Sequence, residues 1–418
     1  MWQGQGRILR NLTPEIVIVG GGIGGGALAT VLARRDLNVL VLERETVYPD
    51  RVRGEFVAPW GVAEFKRLGL LEILYAHGGM HTTRNVPYDE NWSQDEAEKR
   101  SLDLTKMHPD APGPLCMGHP AMCDALCESA LSAGAVFLKG IKDLVCVAGE
   151  SPLVSFSHAG QKLTVKPRLI IGADGRNSVI RRQLGFQTQA DPPHNLLGGM
   201  LVANVPDWPR DLQAIGTEDR LHYLIFPQGK ESVRLYACYD FSDKGRFAGA
   251  NKTERVLEAF RLGCLPLADA IMEGKVVGPF NSYSNEDHWV DLPTAPGIVL
   301  IGDAAGHNDP VTGQGLSITA RDVRVVSEIL LSKNAPWAQD DFSYYVEERR
   351  ERMRRLRIVG RLASQIRVEF GPDARKRRAR VAQRSAEGYP SPMPATLVGP
   401  ERLPSEAYLP EIIAKLTA

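Results

Sequence analysis

Three short clusters in this chain have residue types and spacings suited to chemistry. The first is Gly20-Gly21-Gly22-Ile23-Gly24-Gly25, with Glu43 and Arg44 at the end of the next apolar run. Glycine at 20 permits a tight turn, glycine at 22 lets the backbone approach a pyrophosphate, and glycine at 25 lets a helix pack closely on a strand. Free N–H groups, that of Ile23 among the candidates, and the positive end of the following helix then face the anion. A carboxylate such as Glu43 accepts a hydrogen bond from a ribose hydroxyl, a charge-assisted bond worth roughly 1.5–3 kcal/mol. The same charge repels a 2′-phosphate. Together with Arg44 beside it, the cluster points to the holding of a dinucleotide. The second cluster is Gly172-Ala173-Asp174-Gly175. The third begins at Gly302-Asp303, continues through His307, Asn308 and Pro310, and ends at Gly313-Gln314-Gly315-Leu316.

Positioning these clusters requires strands and helices on either side. Glu15-Ile16-Val17-Ile18-Val19 is apolar and β-branched without alternation, as in a buried parallel strand. Residues 27–33 read as a helix and residues 37–42 as a second strand, so the glycines sit in a strand–turn–helix–strand unit. Glycine makes up 40 of the 418 residues. Three fixed glycines would therefore recur by chance about 0.4 times in such a chain, and the flanking elements and Glu43 supply the specificity. Leu169-Ile170-Ile171 is another buried strand leading into Asp174. Residues 296–301 are a third, leading into Gly302-Asp303 and then into a helix at about Leu316. Residues 86–108 are polar and irregular and read as a surface excursion. Residues 120–134 read as a helix, opened by Gly118-His119-Pro120. Strands follow at 196–205, 221–226 and 233–239, separated by turns. Alternation puts His222 and Leu224 on one face and Tyr223 and Ile225 on the other.

In order and spacing, the G-x-G-x-x-G turn, the Asp174-Gly175 segment and Gly302-Asp303 with the following P-x-x-G-x-G resemble the group A flavoprotein monooxygenases. These form the para-hydroxybenzoate hydroxylase-like family, and the resemblance spans roughly residues 14–365. It implies an α/β fold: a Rossmann-like FAD-binding domain with a β-sheet substrate domain and C-terminal helices. The expected FAD-binding domain is discontinuous, at 1–85, 110–185 and 285–370. The substrate sheet would take 86–109 and 186–284, and 371–418 would be a C-terminal extension.

The resemblance also implies cofactors and roles. FAD would be resident, with NAD(P)H a transient co-substrate. A flavin C4a-hydroperoxide formed with O2 would hydroxylate a small aromatic or polyketide-like molecule. Asp303 would bind the flavin ribitol, and Asp174 would support the pyrophosphate region. Gly313 belongs to the loop whose last residues, Gly315 and Leu316, would offer N–H groups to the flavin's pyrimidine edge. A helix N-terminus there stabilises the charge of reduced flavin. Pro310 would flank the isoalloxazine ring. Arg53, in the stretch RGEFVAPWGVAEFKRLGL, would lie near the flavin, and His119 stands where the family often has a flavin-contacting arginine or glutamine. His307 and Asn308 would approach the reactive side and polarise substrate or solvent. His222, Tyr223 and Tyr236 are the substrate candidates on the sheet. No second strand–GxGxxG–helix unit occurs, as in this family, which lacks a separate nicotinamide domain.

One departure opens an alternative. Aromatic hydroxylases commonly have His directly after G-D-A-A, whereas here Gly306 intervenes before His307. This is closer to flavin reductases of the geranylgeranyl-reductase type, and makes a dehydrogenase or reductase the second reading. The W-x-W pair of flavin halogenases and the F-x-G-x-x-x-H signature of Baeyer–Villiger enzymes are both missing. A non-enzymatic flavin-binding regulator would leave the loop around Pro310 without a purpose.

Bulk properties exclude other classes. Lys+Arg and Asp+Glu balance at 50 each, so no global field favours nucleic acid or anionic membrane. The six cysteines show no metal-ligand spacing, no metal site is expected, and their scatter fits a reducing cytoplasm. Neither a signal peptide nor an apolar run long enough to span a membrane is evident. The arginine-rich stretch 349–384 carries glutamates at helical spacing and reads as a solvated, ion-paired face, with its second half on an acidic patch or a partner subunit. The assembly would be a monomer or a homodimer.

Overall fold

The computed structural model describes residues 13–50, 52, 54–229 and 231–418; Arg51 and Arg53 lie outside the described residues. Ile16–Val19 is buried at every position and pairs in parallel with Val39–Glu43 on one side and Leu169–Gly172 on the other. A parallel strand covered on both faces has no solvent side, which is why these strands lack alternation. The full sheet runs Thr294–Ala295, Ile298–Leu300, Leu169–Gly172, Ile16–Val19, Val39–Glu43, Val136–Lys139, and only its first pair is antiparallel. The carboxyl ends of its central strands share one edge. Gly20, Glu43, Ala173 and Ile301 therefore converge there, where open α/β sheets bind their ligands. Helix α1 (Ile23–Ala33) starts at the glycine turn and packs between His119–Ser132 and helix α2 (Gly315–Ser332).

A second, seven-stranded sheet runs Lys275–Asn285, Asn195–Ala203, Ser232–Asp240, Leu221–Pro227, Leu212–Glu218, Arg84–Val86, Leu102–Asp103. The polar stretch expected as a surface excursion supplies the last two strands at its ends. Between them Ser93 and Glu96 form a capping box for the helix Gln94–Lys99, and Tyr88 and Ala97 are buried against the sheet. Polar composition concealed this because a few anchors suffice to hold a short edge insertion.

Helix α3 (Ser343–Arg367) crosses both parts of the molecule, followed by Pro372–Ala386 and Pro410–Thr417. The basic stretch behaves only partly as a solvated face. Glu351 pairs with Arg354 and Arg355 toward the outside, and Arg378 pairs with Asp89 and Glu90 of the edge insertion. Arg349 and Arg352, however, are buried against Asp322 of α2, which is itself 0% exposed. Arg349 Nε donates to Asp322 Oδ2 at 3.0 Å and Arg352 Nη2 to Oδ1 at 2.6 Å. Arg349 also donates to the carbonyls of Gly302, Ala305 and Gly306 at 3.0–3.1 Å, and Asp322 Oδ2 accepts the Gly302 N–H at 2.8 Å. Burial alone would raise the Asp322 carboxyl pKa, but the two guanidiniums outweigh it and hold the group below its usual range. Among the described residues no helix is long and apolar enough to cross a membrane.

Replacing one member of such a cluster strands the others as buried, unpaired charges. Asp322→Ala is expected to cost roughly 3–5 kcal/mol, read as a lowered urea midpoint at unchanged m-value. An unchanged midpoint would show that Arg349 and Arg352 find other partners.

Candidate active site

The glycines of the first turn differ in what surrounds them. Gly20 has φ = 100°, and a Cβ there would lie 2.4 Å from Ala173 O. A Cβ on Gly25 would lie 1.8 Å from Gly20 O, so Gly25 sits behind the turn and lets α1 approach it. Gly22, by contrast, has nothing within 4 Å of its would-be Cβ. It is the N-cap of α1, which has no side-chain cap, so the first N–H groups from Ile23 onward are available to a ligand. Glu43 is anchored beside them: Oε2 accepts the Gly21 N–H at 2.6 Å and Oε1 the Glu45 N–H at 2.7 Å. Each carboxylate oxygen retains a second acceptor position, so a hydroxyl can still bind. Arg44 stands on the rim, 2.8 Å from Glu45. Tyr48, which the sequence did not single out, donates to Gly21 O at 2.6 Å.

Asp174 Oδ2 caps the helix Val179–Gln183, accepting N–H groups from Val179 at 2.6 Å and Ile180 at 3.3 Å. Its Oδ1 is buried and has no partner among the described residues. Burial raises the carboxyl pKa, opposed first by the Ser178 side chain and then by these N–H groups. Across the cavity, Gly302–Ala305 forms one turn in which Asp303 borders the opening. The loop then passes Asn308, whose Nδ2 lies 3.4 Å from Thr312 Oγ1, and Pro310 before entering α2. No side chain caps α2, and a Cβ on Gly315 would meet nothing within 4 Å. The N–H groups of Gly315 and Leu316 therefore start a second open helix terminus.

All these surfaces border one cavity of about 1120 Å³. It brings together Gly20, Gly22, Ile23, Glu43, Arg44, His119, Asp174, Gly302, Asp303, Gly313, Gly315 and Leu316, with His307, Asn308 and Pro310 alongside. Two uncapped helix N-termini, an orphaned buried carboxylate oxygen and two glycines open to the cavity fit a large ligand with phosphate and heteroaromatic parts. The remaining wall is the face of the seven-stranded sheet bearing Leu197, Leu224, Phe226 and Tyr236. Leu102, Leu104 and Met107 of the edge insertion and Met393–Val398 near the C-terminus close other sides. No local signal in the sequence marked these segments, because only the fold brings them to the sheet.

The substrate candidates on the sheet separate. Tyr236 lines the cavity, but its hydroxyl donates to Glu55 Oε2 at 2.6 Å, and Arg234 Nη2 donates to Glu55 Oε1 at 2.6 Å. Burial, reinforced by the Glu55 charge, raises the Tyr236 pKa well above its ordinary value, so the phenol stays protonated. Tyr223 is on the opposite face: it is 0% exposed, donates to Tyr88 O at 2.6 Å and packs on Phe260. His222 shares the face of Leu224 but lies beyond the cavity, 2.9 Å from Thr217 Oγ1 and under the end of α3. Expected substrate positions 222 and 223 are thus corrected to core positions, because period-2 alternation defines faces without saying which stretch of a face is covered.

His307 stacks on His288 with ring centroids 5.3 Å apart. Glu286 Oε1 is 4.0 Å from its Nε2, too far for a hydrogen bond. Burial lowers the imidazole pKa, opposed by Glu286, so the ring is neutral at pH 7. Behind the loop, Asp309 Oδ1 accepts the Val311 N–H at 2.9 Å, and Oδ2 accepts the Ser364 hydroxyl of α3 at 3.0 Å. The Asp309 N–H donates to Asp287 Oδ1 at 3.1 Å. Burial, and next the Asp309 charge, push the Asp287 carboxyl up to about 7. Among the described residues no metal-binding cluster is present, and all six cysteines are buried with none in a disulfide.

A folded-state pKa above the unfolded value contributes stability that is complete below about pH 4 and lost as pH rises through 7. Asp287→Asn keeps the acceptor for the Asp309 N–H and removes the ionisation. Relative to wild type, it should gain up to ~4 kcal/mol at pH 8 over its difference at pH 4. Urea midpoints at the two pH values measure this, and parallel pH profiles for the two proteins would contradict it.

Comparison with known proteins adds the family. Residues 13–357 match the model of the FAD binding domain family. The squalene epoxidase erg1 of Aspergillus fumigatus is 25% identical over 357 residues, covering 79% of this chain and 69% of that protein. A digeranylgeranylglycerophospholipid reductase of Methanococcoides burtonii is 23% identical over 369 residues, covering 85% and 83%. The chain spans between 57% and 71% of the length of the squalene epoxidases and monooxygenases that it matches. In structure it is similar to p-nitrophenol 4-monooxygenase PnpA of Pseudomonas putida DLL-E4, with a TM-score of 0.73, 18% identity, and coverage of 96% of this chain and 97% of that one. The chain belongs to the FAD binding domain family of group A flavoprotein monooxygenases and is an FAD-dependent oxidoreductase.

Proposed function

We propose that this chain is an NAD(P)H- and O2-dependent monooxygenase that hydroxylates a small, apolar or aromatic molecule held against the seven-stranded sheet. The observation that carries this reading is the continuity of the cavity: the dinucleotide cradle and the apolar sheet face share one volume of about 1120 Å³. That exceeds the range of roughly 300–1,000 Å³ usual for a single-ligand pocket. When bound, FAD supplies the two-electron redox chemistry and the activation of oxygen.

The protein's own groups then bind, orient and exclude water. In this reading the N–H groups from Ile23 onward hold the pyrophosphate, Glu43 accepts the ribose hydroxyl, and Asp303 accepts from the ribitol. Gly315 and Leu316 would offer N–H groups to the flavin's pyrimidine edge and so stabilise negative charge there. Arg44 and His119 contact the cofactor from the cavity edge, and Asp174 supports its phosphate region. Pro310 shapes the reacting compartment. His307, neutral at working pH, offers a polar edge to substrate or water once its ring turns away from the stack on His288. NAD(P)H binds transiently. A reductase is the second reading, favoured by Gly306 directly after Gly302-Asp303-Ala304-Ala305 and by the archaeal reductase among the relatives.

With a panel of aromatic and polyketide-like compounds, purified holoenzyme should oxidise NADH or NADPH and place one atom of ¹⁸O2 in the product. Turnover that continues unchanged without oxygen would replace this reading by the reductase one. Asp303→Ala should weaken FAD retention about tenfold or more, followed by flavin release on dilution. His307→Ala should lower product formed per NAD(P)H consumed while leaving FAD bound, and unchanged coupling would remove His307 from the chemistry.

A further inference from the structure

Behind the loop that carries Asn308 and Pro310, separate segments of the chain meet in a polar nest. Asp309, 0% exposed, comes from the loop itself and Ser364 from α3. His194 and Asn195 stand at the start of the strand Asn195–Ala203, and Asn285 and Asp287 at and just after the end of Lys275–Asn285. His194 reaches solvent, with 41% of its side chain exposed, and its Nε2 lies 3.1 Å from Asp309 Oδ2. The same oxygen accepts the Ser364 hydroxyl. On the other side the Asp309 N–H donates to Asp287 Oδ1, and the Val311 N–H donates to Asp309 Oδ1. The loop is thus fastened through one buried carboxylate, and a partner of that carboxylate can exchange protons with bulk water.

The nest also holds hydrogen-bonding capacity that it does not use. Asn285 is 0% exposed, yet neither its Nδ2 nor its Oδ1 has a partner among the described residues, and Asn195 Oδ1 has none either. These two asparagines lie directly opposite each other in the antiparallel pair, so their side chains share a face. Asn195 Nδ2 is 3.4 Å from Ser364 Oγ, which turns that face toward the nest. Where α3 passes Asp287 it presents no side chain: a Cβ on Gly360 would lie 3.8 Å from Asp309 Cβ and 3.9 Å from Asp287 Oδ2. A buried amide without partners is costly. Beside a carboxyl, its idle N–H becomes a strong donor once that carboxyl ionises.

The charges facing the nest bias it in one direction. Hydrogen bonding to Asp309 raises the His194 pKa against the effect of burial, and the charges of Asp309 and Asp287 add to the rise. Burial, and next the Asp309 charge, bring Asp287 to about 7, with Arg357 of α3 opposing and Asp191 adding. Arg357 lies over the Trp289 ring, and Asp191 pairs with Arg361. Cys238, on the sheet side of Asp309, has its thiol pKa pushed well up by burial and is uncharged. Below neutrality Asp309 therefore has an imidazolium on one side and a neutral carboxyl on the other. Both groups have raised pKa values, so what they contribute to holding the loop is complete at low pH and lost as pH rises through them. Asp309 then loses a cation and gains an anion.

We propose that these groups form a pH-operated latch: with His194 protonated and Asp287 neutral, the nest clamps the Asn308–Pro310 loop to the sheet and α3, and with both protons gone the loop is released while Asn285 takes up the Asp287 charge. The wall of the cavity formed by Asn308 and Pro310 is then free to move at alkaline pH, whichever reaction the cavity carries out. A polar cluster with two arrangements, biased by protons arriving through a surface histidine, is the bistable element that such a switch requires.

Hydrogen exchange of oxidised, full-length holoenzyme tests this at about pH 6 and about pH 8.5, with labelling times scaled for the intrinsic pH dependence of exchange. A peptide covering residues 306–312, which contains the Asp309 and Val311 amides, should lose about tenfold or more of its protection at the higher pH, while Ile16–Val19 keeps its own. His194→Gln retains a donor but cannot be charged, and should already show a loosened loop at the lower pH. Asp287→Asn should keep at least about threefold more protection than wild type at the higher pH. The double variant should give the same protection at both. Equal protection of the wild-type loop at the two pH values overturns the proposal. So does an equal loss at Ile16–Val19, which would be general loosening, or a loss of wild-type size that persists in the double variant.

Discussion

Asp322 is the carboxylate on which the arrangement of the cavity depends. It is buried in α2, and three groups converge on it: Arg349 and Arg352 of α3 and the N–H of Gly302. Through Arg349 the same cluster reaches the carbonyls of Gly302, Ala305 and Gly306. Gly306 and His307 pair with the short strand His288–Trp289, and one guanidinium meets the carbonyls of Gly302, Ala305 and Gly306. Asp303 is thereby held at the cavity edge and α2 points its open end inward. Farther along α3, Ser364 binds Asp309 and fixes the loop at Pro310 as well. A single long helix thus holds both ends of the segment that faces the reacting compartment.

Charge is distributed unevenly around this framework. In the cradle, N–H groups at two helix termini present partial positive charge, suited to phosphate and to a reduced ring. On the sheet side, Glu55 is neutralised by Arg234 and the Tyr236 phenol is kept protonated, so that wall is polar without being anionic. Arg367 is the exception, a partly exposed cation on the cavity wall with no side-chain partner among the described residues. Asp287, beside Asp309, is another group whose environment disfavours its charge. Placements of this kind lower stability, and they concentrate around a cavity because ligand binding offers the compensation that packing does not.

The side of the cavity proposed for the cofactor was legible in the sequence because its requirements are local. A glycine with φ of 100° and another whose Cβ would collide with a carbonyl are conditions on single positions, and Gly20 and Gly25 meet them. The substrate side was less legible. Tyr223 and His222 were plausible on alternation, yet one faces the Phe260 core and the other is covered by the end of α3. Arg349 and Arg352 looked like members of an exposed basic helix because glutamates accompany them at helical spacing. The acid that buries them, Asp322, lies on a different helix.

The sequence by itself determined the strands, the glycine turn, Glu43 and the order of motifs that marks a dinucleotide-binding flavoprotein. Each of these rests on hydrophobic continuity or on backbone conformation within a few residues. Only the tertiary structure decided which part of the second sheet faces the cavity, that residues 102–107 and 393–398 close it, and which arginines lie inside. Those outcomes depend on contacts between segments from some 27 to 150 residues apart, and a local pattern carries no information about which partner will cover a face or neutralise a charge. The loop from Gly302 to Leu316 belongs to both accounts: its residues could be read from the chain, and its shape is imposed by Asp322, Arg349 and Ser364.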